Sequence, residues 1–231
     1  MKSAPDLSVY LITDPQLCAT RGLIETVLAA VRGGATVVQL RDKGAPDAEL
    51  VELGRALKQA LAGSGVPLIV NDRIEVAVAI GADGVHVGQS DAAAHLARAV
   101  LGPDAFVGLS IQTIEHAAAV DPAIVDHVGV GPVFATTTKP DHAAPLGIEG
   151  LARVCAASPV PAVAIGGLGI EHVGAVLGAG AAGLALVSSL CAAPDPERAA
   201  RAFSDAARAA RAKDSTALSR AKHRPDGKTT G

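Results

Sequence analysis

The stretch NDRIEVAVAIGADGVHVGQSD, Asn71 to Asp91, decides the fold. It opens on the polar end of an apolar run, passes through a short helix-like segment and a Gly-punctuated turn, and enters a second apolar run, GVHV, before closing on polar residues. Two extended runs joined in this way suit neighbouring parallel strands with a helical crossover. Asp72 and Asp91, nineteen residues apart in sequence, then emerge at the same edge of one sheet. Two carboxylates in such a place suit a divalent cation.

The same unit repeats outward in both directions. Strand-type runs fall at 8–13, 36–41, 67–72, 84–87, 106–110, 127–133, 161–167 and 183–189. Helical connectors are expected at about 17–33, 47–62, 74–80, 91–101, 113–119, 147–157, 170–178 and 195–211, with Gly or Pro punctuating many ends. Eightfold β-α alternation specifies parallel strands, and the α/β class is expected as a single-domain (β/α)8 TIM barrel, whose closure removes both sheet edges. An open doubly wound sheet is the alternative. It commonly carries G-x-G-x-x-G after the first strand, and VYLITDPQLC (9–18) has none.

A chain of 231 residues is long enough for one large core. Aromatics make up only 2% and Trp is absent, so that core must be built from Val, Leu, Ile and Ala, which suits short buried strands under Ala-rich helices. The three cysteines are far apart and form no C-x-x-C pair, so they read as small core fillers rather than a disulfide framework or zinc site. No run of eighteen apolar residues and no signal-peptide pattern occurs, and a cytoplasmic protein without a membrane span is expected. Residues 1–211 are taken as the domain and 212–231 as a polar basic tail, read as disordered in preference to a functional basic arm. Lys213–Gly231 holds five basic and two acidic residues, which leaves fifteen basic against twenty-one acidic in the body. That acidic body argues against a nucleic-acid partner.

Polar residues gather at the C-terminal ends of the expected strands, where barrels of this kind carry their chemistry. Gln39, Arg41 and Lys43 recur with period two and share one side of an extended segment. Two cations and an amide suit a diphosphate, although a solvated strand end gives the same pattern. Asp72 and Asp91 read either as helix N-caps or, beside those cations, as ligands of Mg2+, a hard ion that favours carboxylates together with phosphate oxygens and water. Gly166-Gly167 and Ser188-Ser189 precede helices and suit a phosphate held by backbone N–H groups, or simply a tight turn. Thr136, Thr137, Thr138 and Lys139 lie in the longest loop, a lid or a solvated loop. His86, inside an apolar run, reads as a satisfied core histidine in preference to a catalytic base. The two anion sites and one metal site suggest two phosphorylated small-molecule substrates.

The motifs VVQLRDK, LIVNDR, GADGVHVGQSD, GLSIQT, GVGPVFATTTK, AIGGL and LVSSL, in this order over about residues 9–190, resemble the thiamine phosphate synthase family. The resemblance implies joining an aminopyrimidine diphosphate to a thiazole phosphate, with release of diphosphate, through a pyrimidine-methyl cation and with Mg2+ as cofactor. It assigns Gln39, Leu40, Arg41, Asp42, Lys43, Asn71, Ser110 and Lys139 to the pyrimidine diphosphate. Thr136, Thr137, Thr138, Gly167, Val187 and Ser188 fall to the thiazole phosphate, and Asp72 and Asp91 to Mg2+. Arg41, Lys43, Ser110 and Lys139 would be the catalytic residues. Two departures from the family pattern are Glu75, where Asp is common, and IQT after Ser110 in place of VHT-like residues. A homodimer is carried as an expectation. A thiazole tautomerase would need neither the diphosphate cations nor both aspartates. A non-catalytic binding barrel would show tight ligand binding without diphosphate release.

Overall fold

Runs of four to six residues rich in Val, Leu and Ala are too short and too apolar to stand alone, and they find cover by pairing in a ring beneath a shell of helices. The computed structural model describes residues 5–89, 91–136 and 144–222. Its strands are β1 (Val9–Ile12), β2 (Val37–Leu40), β3 (Leu68–Asn71), β4 (Gly84–Val87), β5 (Phe106–Ile111), β6 (His127–Val130), β7 (Ala162–Ile165) and β8 (Gly183–Leu186). Each pairs in parallel with the next, and β8 pairs with β1 to close the barrel. The helices are α1 (Leu23–Arg32), α2 (Asp47–Ala60), α3 (Ile74–Ile80), α4 (Asp91–Leu101), α5 (Ile114–Ala118), α6 (Gly147–Ala157), α7 (Val173–Gly178), α8 (Ser188–Cys191) and α9 (Pro196–Lys222), with a 3-10 turn at Ile170–His172 before α7. Among these elements none is long and apolar enough to cross a membrane.

The strands alternate as the pleat requires. Val9, Leu11, Val38, Leu40, Val70, Val85, Val107 and Leu184 pack outward with the helices in one buried cluster. Tyr10, Ile12, Val37, Ile69, Phe106, Val163 and Ala185 form a second cluster inside the ring. Each fully buried Leu or Val of the outer layer contributes roughly 1.5–3 kcal/mol. Cys18 and Cys191 are buried in that layer and Cys155 is half-buried.

Several boundaries differ from expectation. The connector expected at 17–33 is helical only from Leu23, because the Asp14 carboxylate accepts the N–H groups of Gln16 and Leu17 in a turn and Gly22, at φ 92°, restarts the chain. The segment at 170–178 starts as a 3-10 turn. A short helix, α8, begins at Ser188, inside the run 183–189 expected as strand. The boundary drawn at 211 does not coincide with a helix end, since α9 runs on to Lys222. Residues 212–222 hold Ala, Leu, Arg and Lys without Gly or Pro, so they prolong a helix already nucleated by packing. Residues 223–231 of the expected tail lie outside the described residues.

The last helix also ties the ends of the chain together. Glu197 pairs with Arg32 of α1, and the Arg211 guanidinium donates to Ser8 Oγ and the Ala182 carbonyl, the residues that lead into β1 and β8.

Candidate active site

The C-terminal mouth of the barrel opens into a cavity of about 590 Å³. Gln39, Arg41, Lys43, Asn71, Asp72, Ser110, Thr136, Gly167, Val187 and Ser188 all line it. The period-two reading of Gln39, Arg41 and Lys43 therefore places three side chains along one wall, Gln39 deepest and buried, Lys43 exposed at the rim. The Gln39 amide donates to the Tyr10 hydroxyl at 2.9 Å. Thr13, fully buried, accepts the Arg41 N–H at 2.9 Å and fixes the strand end from which Arg41 projects.

Two residues assigned to the diphosphate have other tasks. Leu40 is fully buried on the outer face, where it packs beside Gly54 of α2 and does not line the cavity. The Asp42 carboxylate accepts the N–H groups of Gly44 and Ala45 and shapes the β2–α2 loop. Arg73, which carried no role in the sequence reading, clamps the same loop. Its guanidinium donates to the carbonyls of Ala45 and Lys43 and pairs with Asp47 at 2.8 Å.

Asp72 is the one described non-glycine residue with positive φ, 62°. Its N–H donates to the His86 carbonyl at 2.8 Å and its carboxylate accepts from the Asn71 amide at 2.7 Å. The residue preceding α3 is Arg73, with no side-chain cap bond, so the N-cap alternative for Asp72 is set aside. A carboxylate at the cavity wall, bonded to an amide rather than spent on a helix end, is a donor of the kind Mg2+ takes. α4 begins at Asp91, whose side chain lies outside the described set, and so do Thr137, Thr138 and Lys139. The strands that lead to the two aspartates are neighbours, with Asn71 opposite His86.

Across the mouth, Gly166 and Gly167 adopt φ 99° and 63°, and a side chain on Gly167 would begin 2.5 Å from the Ala135 carbonyl oxygen. Glycine is needed there for the turn itself and for the close approach of the Ala135 carbonyl. α8 starts at Ser188, and the Ser189 hydroxyl ties its first turn to the Leu168 carbonyl at 2.7 Å. Phe134 stacks on His172 with ring centroids 4.2 Å apart, at the start of the β6–α6 loop.

The floor holds His86, which was expected as a satisfied core histidine, and His127, which the sequence reading missed. His86 lines the cavity with Nε2 3.0 Å from Ser110 Oγ, while its Nδ1 has no partner among the described residues. It is thus only half satisfied. His127, buried on β6, has none at either nitrogen. Burial holds both imidazoles below their ordinary value, at about 4 for His86 and about 3 for His127. Burial likewise pushes the Tyr10 phenol upward. Gln89 and Gln112 add amides at the rim, 3.5 Å apart.

One buried and one half-buried neutral histidine make the fold acid-sensitive. In the unfolded chain they take protons below about pH 6.5, while the folded barrel refuses them down to about pH 4 and about pH 3. Stability from this source is complete above pH 6.5 and drains away as the pH falls through that window, by an amount on the order of a few kcal/mol. Melting temperatures from pH 7.5 to 4 should fall more steeply for the native chain than for His127→Phe. Parallel curves would remove His127 from the account.

The chain matches the family described as thiamine monophosphate synthase over residues 9–190. It is 55% identical over 206 residues to the thiamine-phosphate synthase of Xanthobacter autotrophicus, covering 89% of this chain and 98% of that protein. The thiamine-phosphate synthase of Azorhizobium caulinodans is 53% identical over 196 residues, covering 85% and 92%. Among solved structures, a thiamine phosphate pyrophosphorylase from Pyrococcus furiosus superposes with a TM-score of 0.79 at 32% identity, over 89% of this chain and 97% of that one. A 3-hexulose-6-phosphate synthase, at 18% identity and TM-score 0.66, shares the fold.

Proposed function

Because the chain belongs to the thiamine monophosphate synthase family and makes thiamine phosphate as a transferase, we propose that its cavity first ionises an aminopyrimidine diphosphate and then aligns a thiazole phosphate to capture the resulting pyrimidine-methyl cation. The observation that carries this reading is one cavity with cations and a carboxylate on the β2–β3 side and a glycine turn with a helix start on the β7–β8 side.

Arg41 and Lys43 supply positive charge where the C–O bond to diphosphate breaks, which lowers the cost of separating an anion from a carbocation. Asp72 and Asp91 would hold Mg2+, which when bound adds charge neutralisation at the leaving diphosphate. Ser110 and Asn71 offer hydrogen bonds to the pyrimidine; Lys139 would add charge for its diphosphate, and Thr136, Thr137 and Thr138 would serve the thiazole phosphate. The backbone N–H groups near Gly167, Val187 and Ser188 take the thiazole phosphate. The thiazole nitrogen, held facing the cationic methylene, closes the new C–N bond. No protein nucleophile is required, and the work of the site is ionisation and alignment.

The proposal extends to a cytoplasmic location, which suits substrates whose phosphate charges keep them from crossing membranes. It also extends to a homodimer. Val78 of α3 and Leu96 and Val100 of α4, each about half exposed, are apolar residues on neighbouring helices and support it.

The division into two anion sites is tested by varying each substrate in turn. Gly167→Ala forces a side chain against the Ala135 carbonyl and the Phe134 side chain, and it should raise KM for the thiazole phosphate by about tenfold while changing KM for the pyrimidine diphosphate little. Lys43→Ala should do the reverse. Equal impairment of both substrates by both folded variants would dissolve the division.

A further inference from the structure

Two imidazoles that line the floor of the cavity are not used by the diphosphate chemistry. His86 and His127 occupy the barrel interior with ring centroids 5.6 Å apart, and Tyr10 flanks His127 at 5.8 Å. The intervening strand makes room for them with Gly108, where a side chain would begin 2.3 Å from His86 Nδ1 and 2.6 Å from His127 Nε2. Gly129 does the same on β6, with His86 Cε1 at 3.1 Å. Of the four ring nitrogens, His86 Nε2 meets Ser110 Oγ, and the other three are buried without a partner among the described residues.

Buried polar atoms left unpaired are costly, so two of them that converge beside Gly108 call for a ligand. His86 Nδ1 and His127 Nε2 both lie within 2.6 Å of one point. They are therefore no more than about 5 Å apart, within reach of one water that sits about 2.8 Å from each. Two nitrogen partners meet the minimum for a buried water.

We propose that His127 is a positioning residue for the pyrimidine substrate, acting through one water shared with His86 that sets the direction of the Ser110 hydroxyl. A neutral imidazole carries one N–H and one lone pair. With its proton on Nε2, His127 donates to the water. The water donates in turn to His86 Nδ1, which keeps the His86 proton on Nε2, and that N–H donates to Ser110 Oγ. Ser110 then retains its own hydroxyl proton for a ring nitrogen of the aminopyrimidine. In the opposite tautomer of His86 that proton is turned down into the floor. Each bond of such a chain polarises the next. The proposal rests on the contact between Ser110 and the pyrimidine put forward above.

The test is a double-mutant cycle on the full chain, with KM measured for each substrate. Ser110→Ala should raise KM for the pyrimidine diphosphate about tenfold. His127→Phe, which keeps a ring but removes both nitrogens, should do so to a similar extent and leave KM for the thiazole phosphate unchanged. The double variant should be no worse than Ser110→Ala alone, because both break one chain. His127→Gln, which keeps a donor, should recover part of the loss. Nitrogen NMR of labelled imidazoles should show His86 protonated at Nε2 in the native chain, and should show that preference lost in His127→Phe. Additive penalties, an unchanged KM with only a lower melting temperature, or native His86 protonated at Nδ1 would each overturn the proposal. If Ser110→Ala leaves KM untouched, the assignment of Ser110 falls, and the NMR result then decides on the relay by itself.

Discussion

Replacing Asp72 with alanine lowers turnover by about a hundredfold or more at limiting Mg2+, and raising Mg2+ restores part of the loss. The expectation follows from how the chain spends energy at this position. A non-glycine residue at φ 62° is held in a sparsely populated conformation, its carboxylate does not cap α3, and it stands on the cavity wall with Arg41 and Lys43. Asp72→Asn is the sharper variant, because asparagine tolerates the same backbone and keeps hydrogen bonding while losing the charge. Both should show the same dependence on Mg2+, measured as diphosphate release at saturating substrates. Asp91→Ala is expected to behave alike. Unchanged turnover at limiting Mg2+ would remove the altered residue from the metal site.

The second large effect is expected at Arg41. Arg41→Ala should lower kcat and kcat/KM for the pyrimidine diphosphate together, by roughly 10²–10³-fold, as is typical when a preorganised group facing developing charge is lost. Arg41→Lys should recover only a fraction, since an ammonium cannot offer the planar fork that meets two phosphate oxygens at once. The backbone at Arg41 is held by Thr13 whatever the side chain, so circular dichroism and melting temperature should stay near native. Full activity in Arg41→Lys would mean that the position supplies charge alone. A rise in KM without loss of kcat would place Arg41 in ground-state binding instead of ionisation.

How much of this was legible in the sequence depends on the length scale of each signal. Strand alternation and the rhythm of connectors are local, and they led to the closed barrel. The period-two set at Gln39, Arg41 and Lys43 was legible for the same reason, since a pleat puts alternate side chains on one side. Leu40 and Asp42, drawn in with that set, show the other half of the rule: Leu40 faces the helices and Asp42 folds back on its own loop. The left-handed backbone at Asp72 leaves no trace in the letters, because asparagine and aspartate are common in ordinary turns too. His127 was invisible for a different reason. It sits in HVGV, which reads as a plain buried strand, and its meaning appears only when β4, β5 and β6 are set side by side. Arg73 likewise acts on a loop about thirty residues upstream, and α9 outran its expected end because residues without Gly or Pro propagate a helix that packing has nucleated further back, at Ala200, Phe203 and Ala207.

The fastening of α9 to both ends of the ring bears on how the chain is born. Translation delivers β1 first and β8 last, and the pairing of Leu11 with Leu186 that seals the barrel cannot form until nearly the whole chain has left the ribosome. Until then β1 and the newest strand each present an open row of backbone donors and acceptors, the surface on which nascent chains cross-pair. Arg211 reaches Ser8 and Ala182 later still. The helix that arrives last thus acts as the latch on a seam made of the first and last strands, and a polypeptide stalled or cut before it leaves that seam exposed.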